Sequence, residues 1–272
     1  MADSNIRYLL FDIESVADGG LISKIVYPDK DYSPEKAVKK YGKERFEKTG
    51  SEFIPYTYHI PVAISVIKIA GDYSVMDIVC LDEDEYRPHV ITKNFWEGWS
   101  HYNKPTLISF NGRTFDIPLM ELAAFRYGVS LSDWFFDKGP SYEHPRNRYN
   151  NRAHLDLQEV ITNFGATRFN GGLNLAANIL GKPGKMGIAG HMVQELFDTG
   201  QIDRINDYCR CDVLDTYFVF LRTMVLYGNL ELEEETKIVQ QTKEWLQENS
   251  ILHPIYGEYL QKWTDWNNPW TE

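Results

Sequence analysis

Cysteine is scarce in this chain: three residues, at positions 80, 209 and 211, in a length of 272. A count that is odd and sparse supports no disulfide framework. Cys209 and Cys211 form a C-x-C pair, but no second pair or nearby histidine cluster completes a tetrahedral zinc site. They read as reduced thiols in or near a helix. Positive charge is also in short supply. Lys and Arg total 28 against 39 Asp and Glu, a formal net charge of −11, which excludes a protein that grips duplex nucleic acid by charge alone. No apolar run approaches the ~20 residues of a membrane-spanning helix. The opening residues Met1-Ala2-Asp3-Ser4-Asn5 lack a basic and then apolar leader pattern. A cytoplasmic protein without membrane association is the expectation. Internal repeats and low-complexity segments are absent as well.

What is present suits one large α/β domain. Hydrophobic residues make up 43% of the chain, enough for a packed core. Tyr8-Leu9-Leu10-Phe11 reads as a buried strand with acids at its C-terminal end. Residues 17–59 interrupt the pattern and read as an insertion, with a helix near 34–48. The β-branched run from His59 to Ile69 is a strand, Gly71-Asp72 a turn, and Tyr73 to Leu81 the hairpin partner. A helix is expected over Ile91–His101, a short buried strand at 106–110, and a second helix from Phe115 to Tyr127, stopped by Gly128. His154-Leu155-Asp156-Leu157 reads as an edge strand. Short helices near Leu173–Leu180 and His191–Asp198 precede a long one over Asp203–Tyr227, and another helix covers 230–249. A hairpin followed by crossover units implies a mixed sheet with helices on its faces.

Four acids and a tyrosine fall in three separated clusters: Phe11-Asp12-Ile13-Glu14, Asn111 to Asp116, and Tyr208 to Asp212. Side chains alternate along a strand, so Asp12 and Glu14 point the same way. Residues four apart share a helix face, so Tyr208 and Asp212 are neighbours, beside the apolar stripe of Val213, Tyr217, Phe220 and Met224. Asp116 opens a helix after a strand, where loops commonly carry function. Hard cations such as Mg²⁺ or Mn²⁺ prefer carboxylate oxygens. Two such ions about 4 Å apart stabilise the attacking and leaving oxygens of an in-line displacement at phosphorus. They would also offset four carboxylates and so reconcile the acidic chain with a nucleic-acid end. A tyrosine with an ordinary pKa near 10 suits orienting a water better than abstracting its proton.

These residues resemble the three exonuclease motifs of the DEDD (DnaQ-like) superfamily in its tyrosine branch. Phe11-Asp12-Ile13-Glu14 is similar to the first, Asn-x₃-Phe-Asp over Asn111–Asp116 to the second, and Tyr-x₃-Asp over Tyr208–Asp212 to the third. The histidine branch needs His five positions before the last aspartate, where this chain has Asp207. His154-Leu155-Asp156-Leu157, Asn174-Leu175-Ala176 and Asp207 to Val213 bring the chain nearest to stand-alone bacterial exonucleases similar to the proofreading domain of family-B DNA polymerases. The resemblance covers roughly residues 6–228. It implies a ribonuclease-H-like fold: a mixed five-stranded sheet flanked by helices. Residues 1–229 would form the exonuclease domain, with 17–59 inserted between the first two strands, and 230–272 a helical extension packed on it. The implied activity is metal-dependent 3′→5′ hydrolysis of single-stranded DNA ends, releasing nucleoside 5′-monophosphates with two Mg²⁺ or Mn²⁺ ions. The alternatives are an RNA exonuclease of the same superfamily and a catalytically idle nucleic-acid-binding protein.

The resemblance also implies roles. Asp12, Glu14 and Asp212 would ligate one ion, Asp12 would bridge to the second, and Asp116 would act largely through metal-bound water. Tyr208 would position the attacking water. Asn111 and Phe115 would shape the pocket of the terminal nucleotide. The chain departs from the pattern at Gly187-Ile188-Ala189-Gly190, where an acid is expected in relatives. This length holds no polymerase module, so a polymerase or repair partner would be a separate chain.

Other features are weighed against plain structural readings. Asp156 is a further ligand or a polar strand end and cap. Asp203, Asp207 and Asp215 read as helix-surface acids. Lys36, Lys39, Lys40, Lys43, Arg45 and Lys48, interleaved with Tyr41 and Phe46, form a solvated amphipathic helix or a clamp on a single-stranded backbone. Arg146, Arg148 and Arg152 divide the same way. Trp263, Trp266 and Trp270 pack, form an oligomer contact, or offer a stacking platform.

Overall fold

The computed structural model describes residues 5–271. The chain runs through β1 (Ile6–Ala17), α1 (Gly19–Val26), α2 (Pro34–Thr49), β2 (His59–Ala70), β3 (Val75–Cys80), α3 (Pro88–His101), β4 (Thr106–Ser109), α4 (Asp116–Tyr127) and β5 (His154–Asp156). It continues through α5 (Leu157–Ile161), α6 (Gly172–Ile179), α7 (Val193–Asp198), α8 (Ile202–Leu226), α9 (Leu232–Asn249) and α10 (Pro254–Lys262). The five strands form one sheet in the order β3-β2-β1-β4-β5. β2 runs antiparallel to both neighbours, while β1, β4 and β5 are parallel. This is the mixed, ribonuclease-H-like sheet flanked by helices that the sequence implied. Among the described residues no helix is long and apolar enough to cross a membrane.

Each face of the sheet has its own core, and β1 shows how. Leu9, Phe11 and Ile13 pack under α3 and α4 with Phe95, Trp96, Trp99 and Met120. Leu10 faces the other way, into the cluster built on α8 with Val213, Tyr217, Phe218 and Phe220. Alternation therefore sends Asp12 and Glu14 to the α8 side. The strand is longer than its apolar run. It continues to Ala17, so the two acids lie within it and not at its C-terminal end as expected. β2 explains the extension. It is a 12-residue strand, and its register pairs Asp12 with Ser65, Glu14 with Ala63 and Ala17 with His59. Pairing with β2 thus carries the strand through its two acids, whatever their side chains prefer, and the Ala17 N–H donates to the Gln194 side chain at 2.8 Å.

The segment between β1 and β2 folds as two helices. Asp18 caps α1, a helix that the sequence reading missed. Ser33 caps α2, Pro34 occupies its first turn, and Gly50 ends it in the left-handed conformation at φ 73°. At the other end of the chain, α9 and α10 lie against α8. Trp263 is buried against Phe218 and Tyr259, with ring centroids 4.8 and 6.1 Å away. Trp266 lies under the Arg222 guanidinium, and Trp270 is exposed. The tail aromatic nearest the core therefore packs.

Candidate active site

β1 and α8 bring the first and third motifs together. Asp12, Glu14 and Asp212 each offer a carboxylate oxygen, and these atoms all lie within 4.8 Å of one another. Cys209 sets the closeness of the approach. Its thiol accepts the Ser65 N–H at 3.2 Å and donates to the Asp12 carbonyl at 3.3 Å, pinning α8 to β1 and β2 at the level of the acids. A thiol is small and weakly polar enough for a buried helix–sheet contact. The sequence reading missed this function of Cys209; its place one residue after Tyr208 and three before Asp212 was the available signal.

The second motif enters from β4. Asn111 takes the left-handed conformation at φ 66°, which asparagine tolerates better than most residues. Gly112 follows because the space is taken: a Cβ there would stand 2.3 Å from the Ser109 Oγ and 3.0 Å from an Asp116 carboxylate oxygen. The turn delivers Asp116, buried, to the first turn of α4. Asp116 lies outside the trio of converging oxygens, yet its charge acts on Glu14.

Burial raises the pKa of all four acids. It brings Asp12 to about 7. Glu14 is raised by burial first, then by the charges of Asp12, Asp212 and Asp116. Asp116 is raised by burial, then by Asp12 and Asp156, and Asp212 by burial, then by Asp12 and Asp215. Among the described residues none of the four makes an ion pair with Lys, Arg or His. Lys185, exposed, partly offsets Asp212. Crowded, desolvated carboxylates without a resident countercharge form an all-oxygen donor set, which fits a hard divalent cation. Tyr208 is buried beside them. Its pKa is raised by burial and then by Asp212, Glu14 and Asp12, so the phenol keeps its proton. A cavity of about 200 Å³ opens between Tyr208, Asp212, Asn174 and Lys185.

A family model described as "Predicted 3'-5' exonuclease related to the exonuclease domain of PolB" matches residues 51–263. The chain belongs to that exonuclease family. Among solved structures, it is similar to the family B DNA polymerase from the hyperthermophilic archaeon Pyrobaculum calidifontis, at 16% identity and a TM-score of 0.49. That likeness covers 81% of this chain and 24% of the polymerase chain, so the chain spans about a quarter of that protein's length. No curated protein matches.

The remaining sequence expectations sort by their contacts. Asp156 is a cap and loop holder: its oxygens accept the N–H groups of Asn111, Arg113 and Gln158 at 2.9, 2.9 and 3.0 Å. Asn111 has its side-chain oxygen occupied by Thr114 and Gln158, at 2.8 and 3.0 Å. Phe115 is half-buried and precedes Asp116 directly. Asp215 corrects the reading of it as a helix-surface acid. It is buried and accepts the Tyr259 hydroxyl at 2.6 Å, because α10 covers that side of α8. Arg146 grips Glu121, and Arg148 pairs with Glu159 at 2.8 Å, so two of the three arginines serve the fold.

Proposed function

We propose that this exonuclease hydrolyses the last phosphodiester at the 3′ end of single-stranded DNA and releases nucleoside 5′-monophosphates. The convergence of Asp12, Glu14 and Asp212 oxygens within 4.8 Å, from opposite ends of the chain, supports this reading. Asp12, Glu14 and Asp212 would hold a pair of Mg²⁺ or Mn²⁺ ions, with Asp116 at the border of the site. Bound there, the ions would supply Lewis-acid stabilisation of the charge that develops at phosphorus.

The chain's own residues do the rest. Tyr208 retains its proton, so its hydroxyl both donates and accepts and orients a water without acting as a base. Asp156 and Gly112 fix the turn that carries Asp116. Cys209 fixes the spacing between α8 and β1, on which the convergence of oxygens depends.

The test is digestion of 3′-labelled and 5′-labelled oligonucleotides with Mg²⁺, Mn²⁺ or EDTA. Laddering from the 3′ end that requires a divalent cation is the expected result. Binding without cleavage under every condition would overturn the reading in favour of an idle fold. A matched RNA oligomer cut faster than DNA would reassign the substrate.

A further inference from the structure

We infer that Asp215 is a positioning residue, through which the C-terminal helix α10 fixes loop 181–185 as a wall of the cavity shared with Tyr208 and Asp212. Its effect on rate rests on the exonuclease reading; the mechanical link does not. Asp215 follows Asp212 by three positions on α8, so the two are neighbours on the helix surface, and it lines the same cavity. It is buried, and its Oδ1 accepts the Tyr259 hydroxyl at 2.6 Å. Burial raises its pKa to about 7, against the Tyr259 hydroxyl, the Gly184 N–H and the Lys182 ammonium, which favour the charged form. A buried carboxylate is costly, and an apolar residue would serve a mere packing contact between α8 and α10 better. The carboxylate instead ties a helix on one side to a loop on the other.

The chain's last segment holds that loop a second time. The Gly181 carbonyl accepts the Thr264 N–H at 2.9 Å and the Thr264 hydroxyl at 3.1 Å. The two backbones come so close that a Cβ at Gly181, whose φ is 69°, would stand 2.4 Å from the Thr264 carbonyl oxygen. The buried Lys182 ammonium lies 4.0 Å from the Trp263 ring centroid and donates to the Leu180 carbonyl at 3.1 Å. At its far end the loop brings Lys185 to the cavity. The Lys185 N–H donates to the Asn174 Oδ1 at 2.9 Å, and its side-chain charge acts on Asp212. A cation beside a site for phosphates is effective only at a fixed position. That position is set from α6 by Asn174, from α8 by Asp215, and from the tail by Thr264 and Trp263.

The test is a double-mutant cycle on the full chain: wild type, Tyr259→Phe, Lys185→Ala and the double variant, digesting a 5′-fluorescein oligothymidylate. Tyr256→Phe is the control, since Tyr256 is equally buried on α10 but its hydroxyl lies beside Arg210 instead of Asp215. Tyr259→Phe should raise KM about tenfold, the scale of one hydrogen bond, and leave kcat unchanged. In the Lys185→Ala background it should add less than about twofold, because the group being positioned is gone. Tyr256→Phe should match wild type. A wild-type KM for Tyr259→Phe, the same penalty in both backgrounds, or an equal penalty in Tyr256→Phe overturns the proposal. Hydrogen exchange of the amides in 181–185 reads the link without turnover. Faster exchange in Tyr259→Phe than in Tyr256→Phe supports it, and equal exchange overturns it. Should wild type fail to cut with any cation, the nuclease reading falls, and the exchange rates alone decide the link.

Discussion

Asp156 and Asn111 are joined across β4 and β5: the aspartate Oδ1 accepts the asparagine N–H at 2.9 Å. The same oxygen accepts Gln158 N–H at 3.0 Å as the cap of α5, and Oδ2 accepts Arg113 N–H at 2.9 Å. One carboxylate at the end of the third parallel strand thus shapes the left-handed turn that aims Asp116. Strand pairing of Ser109 with Asp156 places it there.

Asp156→Asn replaces one acceptor with a donor that faces another donor. Leaving a buried backbone N–H unsatisfied costs about 1–3 kcal/mol. The variant should lose that much stability in urea denaturation. Its activity should fall because the Asp116 turn loosens, while Mg²⁺ still raises its melting temperature. A variant that loses the Mg²⁺ response entirely would instead make Asp156 a ligand.

Asp12→Asn removes one negative charge from a crowded, desolvated group. In EDTA it should melt no lower than wild type. Wild type should gain stability from added Mg²⁺ or Mn²⁺, since a ligand that binds only the folded state stabilises it, and the variant should lose most of that gain. Activity should drop about a thousandfold or more, equivalent to several kcal/mol of lost charge stabilisation. Tyr208→Phe, which leaves every acid oxygen in place, should fall less and keep the cation response. Equal cation shifts in wild type and Asp12→Asn, measured by thermal melts, would contradict the assignment.

The acids and their partners were legible in the sequence because periodicity decides which way a side chain points. Asp12 and Glu14 share a face at spacing two, and Tyr208 and Asp212 at spacing four. The mixed sheet flanked by helices followed from the hairpin and the crossovers, while its strand order came from the structure. What escaped were properties set by tertiary contact. β1 extends through its acids because β2 pairs with it to Ala17. Asp215 is buried because α10, itself missed, lies over α8. Cys209 carries no local signal of the contact it makes with Asp12, 197 residues away. The ring contact between Phe53 and Phe115 likewise joins segments whose neighbourhood only the fold creates.

Trp263 tests whether the tail is part of the packed domain. It is buried against Phe218 and Tyr259, and the Lys182 ammonium lies 4.0 Å from its ring centroid. Trp263→Ala should cost about 3–5 kcal/mol, the usual range for emptying such a site. Trp270→Ala, at an exposed position, should stay within about 0.5 kcal/mol of wild type. Urea denaturation of the two variants measures both. A small loss at 263 would mean that the tail adds nothing to the core.

His154 gives the fold a defined acid sensitivity. It is fully buried, its Nε2 lies 2.8 Å from the Ser109 hydroxyl, and burial, followed by the Arg113 charge, lowers its pKa from 6.5 to about 3. The folded state therefore holds the neutral ring, while the unfolded chain takes up a proton below its ordinary pKa. Because the folded value is depressed, the stability is present above about pH 6.5. It is lost as pH falls toward about 3, at about 1.4 kcal/mol per pH unit. His154→Gln keeps a polar side chain of similar reach toward Ser109 without a titrating ring. Urea denaturation of both proteins at pH 7 and pH 5 should show a smaller loss of stability in the variant. Equal losses would mean that other groups, such as the half-buried His59 with its pKa lowered to about 4 by burial, carry the acid response.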